Sequence, residues 1–177
     1  MNGQRLVLPQ HFPLLSRRRA LAGSGLVLSA GALALLGGRD ALAAGAKPGS
    51  ADIEADVRIL NTALAAEYEA VAAYQVGADS GLLLKDALGV AVAFQGHHKA
   101  HAAAIAATVQ KLGGQAVAAK TKYSFPVDKL KSQADVLRFA AGLERGAISA
   151  YLGAVPLFAD KALAQVAASI LGDEAMH

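Results

Sequence analysis

From residue 52 onward, apolar side chains return at alternating steps of four and three. Ile53, Val57, Leu60, Leu64, Val71 and Tyr74 form one such series, with Glu67 set inside it. This is the period of a helix with one buried stripe, and it predicts a helix from Asp52 to a turn over residues 77–81 that holds Gly77, Asp79, Ser80 and Gly81. Asp52, Glu54 and Asp56 put acid at its start, where the helix dipole favours negative charge. A second helix is predicted from Leu82 to Leu112, stopped by Gly113 and Gly114, with Leu84, Leu88, Ala91, His98, His101 and Ile105 on its stripe. Residues 113–131, with Lys120, Lys122, Tyr123, Phe125 and Pro126, carry no period, and so long a connection predicts a crossover along a bundle. Ser132 and Asp135 then read as the capped start of a third helix. Its stripe is Leu137, Ala141, Glu144, Ile148, Tyr151 and Val155, and Pro156 ends it. The fourth helix starts near Ala159 and carries Leu163, Ala167, Ile170, Glu174 and His177 at the same alternation. The predicted class is all-α, an antiparallel four-helix bundle with a long crossover between helices 2 and 3.

Each stripe is broken by ionisable residues, and burying a bare carboxylate costs several kcal/mol unless it is paired, protonated or bound to a cation. The breaks recur. Glu67 is followed seven residues later by Tyr74 and Glu144 seven later by Tyr151, with the two halves offset by 77 residues. The separations from Glu67 to His98 and from Glu144 to Glu174 are 31 and 30 residues. With turns near 79 and 157 and a rise of about 1.5 Å per residue, two antiparallel hairpins bring these groups to one level. Glu174 and His177, three apart, reach out from one face of their helix. His97, His98, His101 and His177 all fall at or beside the convergence, whereas Glu69 points off the stripe into solvent. A metal ion in the bundle core accounts for the pattern; buried carboxylate–histidine pairs without metal are the alternative. Because the sequence stops on the turn that carries His177, the fourth helix is expected to continue past it in a longer chain; a loose site on a frayed last turn is the alternative.

The chain of 177 residues has no cysteine, so any metal site must be built from histidine and carboxylate. Its formal charge of +3 is misleading. Five of the 17 basic residues and one of the 14 acidic residues precede Ala44, which leaves 12 against 13 and no electrostatic footprint for nucleic acid. Arg17, Arg18 and Arg19 instead introduce an apolar run from Leu21 to Gly38, followed by a small-residue cleavage site after Ala43. With Ser16 before the arginines and Leu21 after them, this resembles a twin-arginine export signal, although Ala20 stands where a large apolar residue is usual. The predicted division is a signal over 1–43, a flexible lead-in over 44–51 and a helical domain over 52–177, exported to the periplasm or another extracytoplasmic space. An uncleaved N-terminal membrane anchor is the alternative.

One glutamate on the first and third helices, and a paired position three apart on the second and fourth, resembles the ferritin-like superfamily over Asp52 to His177. Within it, the chain resembles exported ferritin-like domain proteins of the desiccation-associated type. The resemblance implies Glu67, Glu144, Glu174 and His177 as metal ligands, with His101 as the histidine of helix 2. His98 stands where the superfamily has glutamate; a register using Gln95 with His98 would put an amide there instead. That departure lowers the ligand charge and favours divalent ions over a ferric pair. Tyr74, Tyr151, Gln95 and His97 are expected around the ligands rather than on the metal. The implied function is an exported protein holding one or two transition-metal ions (Fe, Mn or Zn), with di-metal oxidase, ferroxidase-like or storage activity. A metal-free structural or stress-protection bundle is the alternative. Its expected partners are metal ions and, during export, the twin-arginine translocase, with a homo-oligomer left open.

Overall fold

The computed structural model describes residues 49–177. The signal over 1–43 with Arg17, Arg18, Arg19 and cleavage after Ala43, the anchor alternative and most of the lead-in lie outside the described residues. Four helices follow in order: α1 (Ser50–Asp79), α2 (Lys85–Lys111), α3 (Gln133–Ala154) and α4 (Lys161–Met176), with short 3-10 turns at Val127–Lys129 and Val155–Leu157. No strand occurs among the described residues, and none of their helices is long and apolar enough to cross a membrane. The expected all-α four-helix architecture is what forms. α1 packs chiefly on α2 and α3 on α4, and the two hairpins meet where α1 lies against α3.

Local chemistry explains the helix ends. The Gly49 amide donates to Asp52 Oδ2 at 3.0 Å, so α1 begins at Ser50, two residues before the expected start at Asp52. Helix α1 also outruns its predicted turn. Gly77 lies inside it because a Cβ there would come within 3.2 Å of Val136 Cγ1 on α3, so this glycine serves close helix packing. The reversal is made by Ser80, whose hydroxyl donates to Gly77 O at 2.6 Å, and by Gly81 at φ +69°. Leu84 is consequently the residue before α2 rather than part of its stripe, and it is exposed. At the far end of α2, Gly113 adopts φ +80°. The Gly113 and Gly114 amides donate back to Gln110 O and Val109 O, both at 2.9 Å, closing the helix as its sequence predicts. Asn61 on α1 pins the start of the crossover through Gln115 O and the Val117 amide, both at 2.9 Å. Ser132 caps α3 by accepting from the Asp135 amide, and α3 ends at Ala154, before Pro156.

The apolar core sits at one end of the bundle. Leu60, Leu64, Ala102, Ile105, Val109, Tyr151, Leu163, Val166, Ala167 and Ile170 pack into one cluster. Asp56, fully buried, locks this end by accepting from the Ala159 and Asp160 amides at 2.8 and 3.0 Å. The opposite end is open. On α3 the buried residue there is Val136, 4% exposed, and the expected stripe members Leu137 and Ala141 face outward. The close approach of α1 at Gly77 turns Val136 inward and its neighbour out.

Candidate metal centre

Between the closed and open ends, the ionisable side chains of all four helices converge. Glu67 from α1, His98 and His101 from α2, Glu144 from α3 and Glu174 from α4 are each 5% exposed or less. His177, the residue after α4, is half-buried as a whole but has a side chain only 2% exposed. Two overlapping sets result, Glu67–His98–His101–Glu174 and His98–Glu144–Glu174–His177, each with one donor atom per residue lying within 4.8 Å of the others. Thus all six residues expected as ligands come together. The first set faces the closed end, the second the open end.

Hydrogen bonds tie the halves across an approximate two-fold. Tyr151 on α3 donates to Glu67 Oε1 on α1 at 2.6 Å, and Tyr74 on α1 donates to Glu144 Oε1 on α3. Each tyrosine therefore serves the carboxylate of the opposite helix. Burial, reinforced by these carboxylates, raises both phenols above their ordinary range, which keeps them protonated as donors. His98 Nδ1 lies 2.8 Å from Glu67 Oε2 and its Nε2 3.3 Å from Glu144 Oε1. His101 Nδ1 faces Glu174 Oε1 at 3.2 Å, while His177 Nδ1 lies 3.5 Å from Glu144 Oε2 and 3.6 Å from Glu174 Oε2.

Two residues behind the candidate ligands were not expected. His101 directs its other nitrogen to Asp173 Oδ2 at 3.2 Å, and Phe94 stacks on His177 with ring centroids 4.2 Å apart. The signal for Asp173 was its place three residues after Ile170, since an apolar face spans both the i+3 and i+4 positions. His97 Nδ1 meets His177 Nε2 at 2.9 Å, at the edge of the cluster. Gln95 instead turns to α1, where its amide donates to Val71 O and Gln75 Oε1, both at 3.0 Å.

The electrostatics follow from crowding. Burial pushes the Glu67 and Glu144 carboxyls upward, but the surrounding imidazoles outweigh it and hold both well below the ordinary 4.5. Burial likewise opposes charge on His98 and His101, yet the carboxylates around them push them up to about 10 and about 11. Burial also works against charge on His177, but Glu144 and Glu174 raise it, whereas burial and the neighbouring imidazoles lower His97.

Five buried atoms of the cluster make no well-formed hydrogen bond and meet one another only in ion-pair contacts of 3.2–3.6 Å: His101 Nδ1, Glu144 Oε2, Glu174 Oε1 and Oε2, and His177 Nδ1. Such atoms are costly to leave unsatisfied in a protein interior, and a cation between them would satisfy all five. Carboxylate and imidazole donors without thiolate fit Mn, Fe or Zn. Two apolar openings reach the cluster. One, of about 600 Å³ between α1 and α3, touches Glu67, His98 and Glu144. The other, of about 290 Å³ at the open end, touches Tyr74, Glu144 and His177.

A family model of the ferritin-like domain matches residues 55–177. No curated protein and no solved structure matches the chain.

Proposed function

The chain belongs to the ferritin-like domain family, and we propose that its core binds one or two divalent transition-metal ions through Glu67, His98, His101, Glu144, Glu174 and His177. The observation that carries this reading is the set of five buried donor atoms without well-formed hydrogen bonds, all drawn from four ligand candidates around one centre. A redox-active ion pair would supply electrons to dioxygen, the chemistry of a di-metal oxidase or ferroxidase. The chain's own residues supply the rest. Tyr74 and Tyr151 orient Glu144 and Glu67, Asp173 and His97 hold the rings of His101 and His177, and Phe94 covers His177.

Elemental analysis of protein purified without chelator, alongside Glu174→Ala, tests the reading. One or two equivalents in the wild type and none in the variant are expected. No metal in the wild type after anaerobic loading with ferrous, manganous and zinc ions would sink it. Oxygen consumption by the iron-loaded protein then separates oxidase from storage. A metal-free bundle is the second reading, favoured by the two carboxylate contacts of His98, which suit a buried imidazolium. It predicts a melting temperature indifferent to chelator. The twin-arginine-like N-terminus further supports export, which cell fractionation would test by locating the processed chain outside the cytoplasm.

A further inference from the structure

The two donor sets share His98 and Glu174. His98 directs Nδ1 at Glu67 Oε2, at 2.8 Å, with Glu174 Oε1 3.7 Å away, and directs Nε2 at Glu144 Oε1, at 3.3 Å. Glu67 belongs only to the closed-side set and Glu144 only to the open-side set. The two edges of this one ring therefore look into different half-sites. Glu174 divides in the same way, with Oε1 3.2 Å from His101 Nδ1 and Oε2 3.6 Å from His177 Nδ1. We propose that, when both half-sites are filled, His98 bridges the two metal ions through its two ring nitrogens, alongside Glu174 bridging through its two oxygens. This rests on the metal-binding reading above and goes beyond it by giving one histidine to both ions.

The geometry leaves His98 little alternative. The ring is 1% exposed, it is held by carboxylates on both edges, and Tyr74 lies against it with centroids 5.2 Å apart, so it cannot turn to serve one side alone. An imidazole offers two nitrogen donors at most. When the second ion binds, the remaining N–H proton passes to solvent and both nitrogens donate to metal. The other two histidines differ, because each spends its far nitrogen on a protein group, His101 on Asp173 and His177 on His97. Of these three histidines, only His98 is placed to join the halves.

Copper(II) and zinc(II) are suitable probes because coupled copper spins lose their ordinary electron paramagnetic resonance signal. With one copper and one zinc per chain, the wild type is expected to give full signal for its copper content. With two coppers, most of that signal should vanish, and His98→Gln, whose amide does not offer opposed nitrogen donors, should recover it. Full signal from the two-copper wild type would overturn the bridge, as would undiminished coupling in His98→Gln, which would leave Glu174 as the sole link. Binding of one ion but never a second would also overturn it while leaving metal binding intact. A wild type that retains no ion at all would overturn the metal-binding reading itself. Should His98→Gln fail to fold, Glu174→Gln loaded with two coppers decides: coupling that survives there runs through His98, and full signal there, with two coppers still bound, would overturn the bridge.

Discussion

The two halves of the polar centre carry nearly the same residues in different surroundings. The closed half, Glu67, His98, His101 and Glu174, adjoins the packed end, where the gap beside Ile105 and Ile170 is about 20 Å³, although Glu67 and His98 also border the opening of about 600 Å³ between α1 and α3. The open half, completed by Glu144 and His177, also borders the cavity of about 290 Å³ at the open end. Their supports differ as well. His101 is backed by the carboxylate of Asp173, whereas His177 is backed by the imidazole of His97. An anion behind a ligating histidine raises its basicity and fixes its orientation, which a neutral ring does less well. A duplicated helical hairpin thus yields a half backed by an anion, which should take the first ion, and a half backed by a second imidazole, which should take the second.

The largest expected effect comes from pH, which acts on every member of the centre at once. In chelated protein, Glu67 and Glu144 have depressed values, so their contribution is present above about 4.5 and lost as pH falls through their folded values. His98 and His101 have raised values, so theirs is full below 6.5 and lost as pH climbs through about 10 and about 11. The metal-free protein should therefore melt highest between about pH 4.5 and 6.5. Loaded protein should behave differently. Protons compete with the ion for the same donors, so the gap between loaded and chelated melting curves should widen as pH rises above that window. A constant gap would separate the metal from these side chains.

Next in size is the contrast in packing. Leu64 is 0% exposed at the closed end, and Leu64→Ala should cost about 2–5 kcal/mol by leaving a cavity that its neighbours cannot fill. Leu137, 47% exposed at the open end, should lose no more than about 0.5 kcal/mol on the same change. Denaturant melts of both variants check this. Equal losses would show that some partner covers the open end in solution.

A smaller effect isolates the backing groups. Asp173→Asn keeps an acceptor for His101 but removes the charge, and it should weaken the first ion's binding about 10–100-fold. His97→Gln should weaken the second ion's binding by less than that. Calorimetric titration with zinc reads both, and a larger loss from His97→Gln would invert the order of the halves.

The contrast between the halves also marks how much was legible in the sequence. The four helices and the meeting of six ligand candidates were, because Glu67, Glu144 and Glu174 interrupt apolar stripes that are otherwise strictly periodic. Period alone failed at the open end. Positions 136 and 137 lie on adjacent sides of the same stripe, and only the close passage of α1 at Gly77 decides that Val136 goes inward. Gly77 itself reads as a turn residue until a partner helix is seen against it. Asp173 was hidden for a related reason. Strict four-three spacing admits Glu174 and excludes its neighbour, whereas the face actually buried by α4 is wide enough for both.

The smallest effect tests whether solvent reaches the tyrosine–carboxylate bonds of both halves. Tyr151→Phe removes the donor to Glu67, but Tyr151 and Glu67 both border the opening of about 600 Å³ between α1 and α3, where a water can take over the bond. Tyr74→Phe removes the matching donor to Glu144, and Tyr74 and Glu144 both border the cavity at the open end, where a water can do the same. Each loss should therefore be about 0.5–1 kcal/mol, whereas an unreplaced bond to a charged group contributes about 1.5–3 kcal/mol. Both variants keep their rings, so packing changes little and each loss reflects the hydrogen bond and its hydration. Paired denaturant melts of chelated protein resolve it. A loss of about 1.5–3 kcal/mol from Tyr74→Phe would mean that water does not reach Glu144, and the cavity beside His177 would then be no route for an ion into the second half-site.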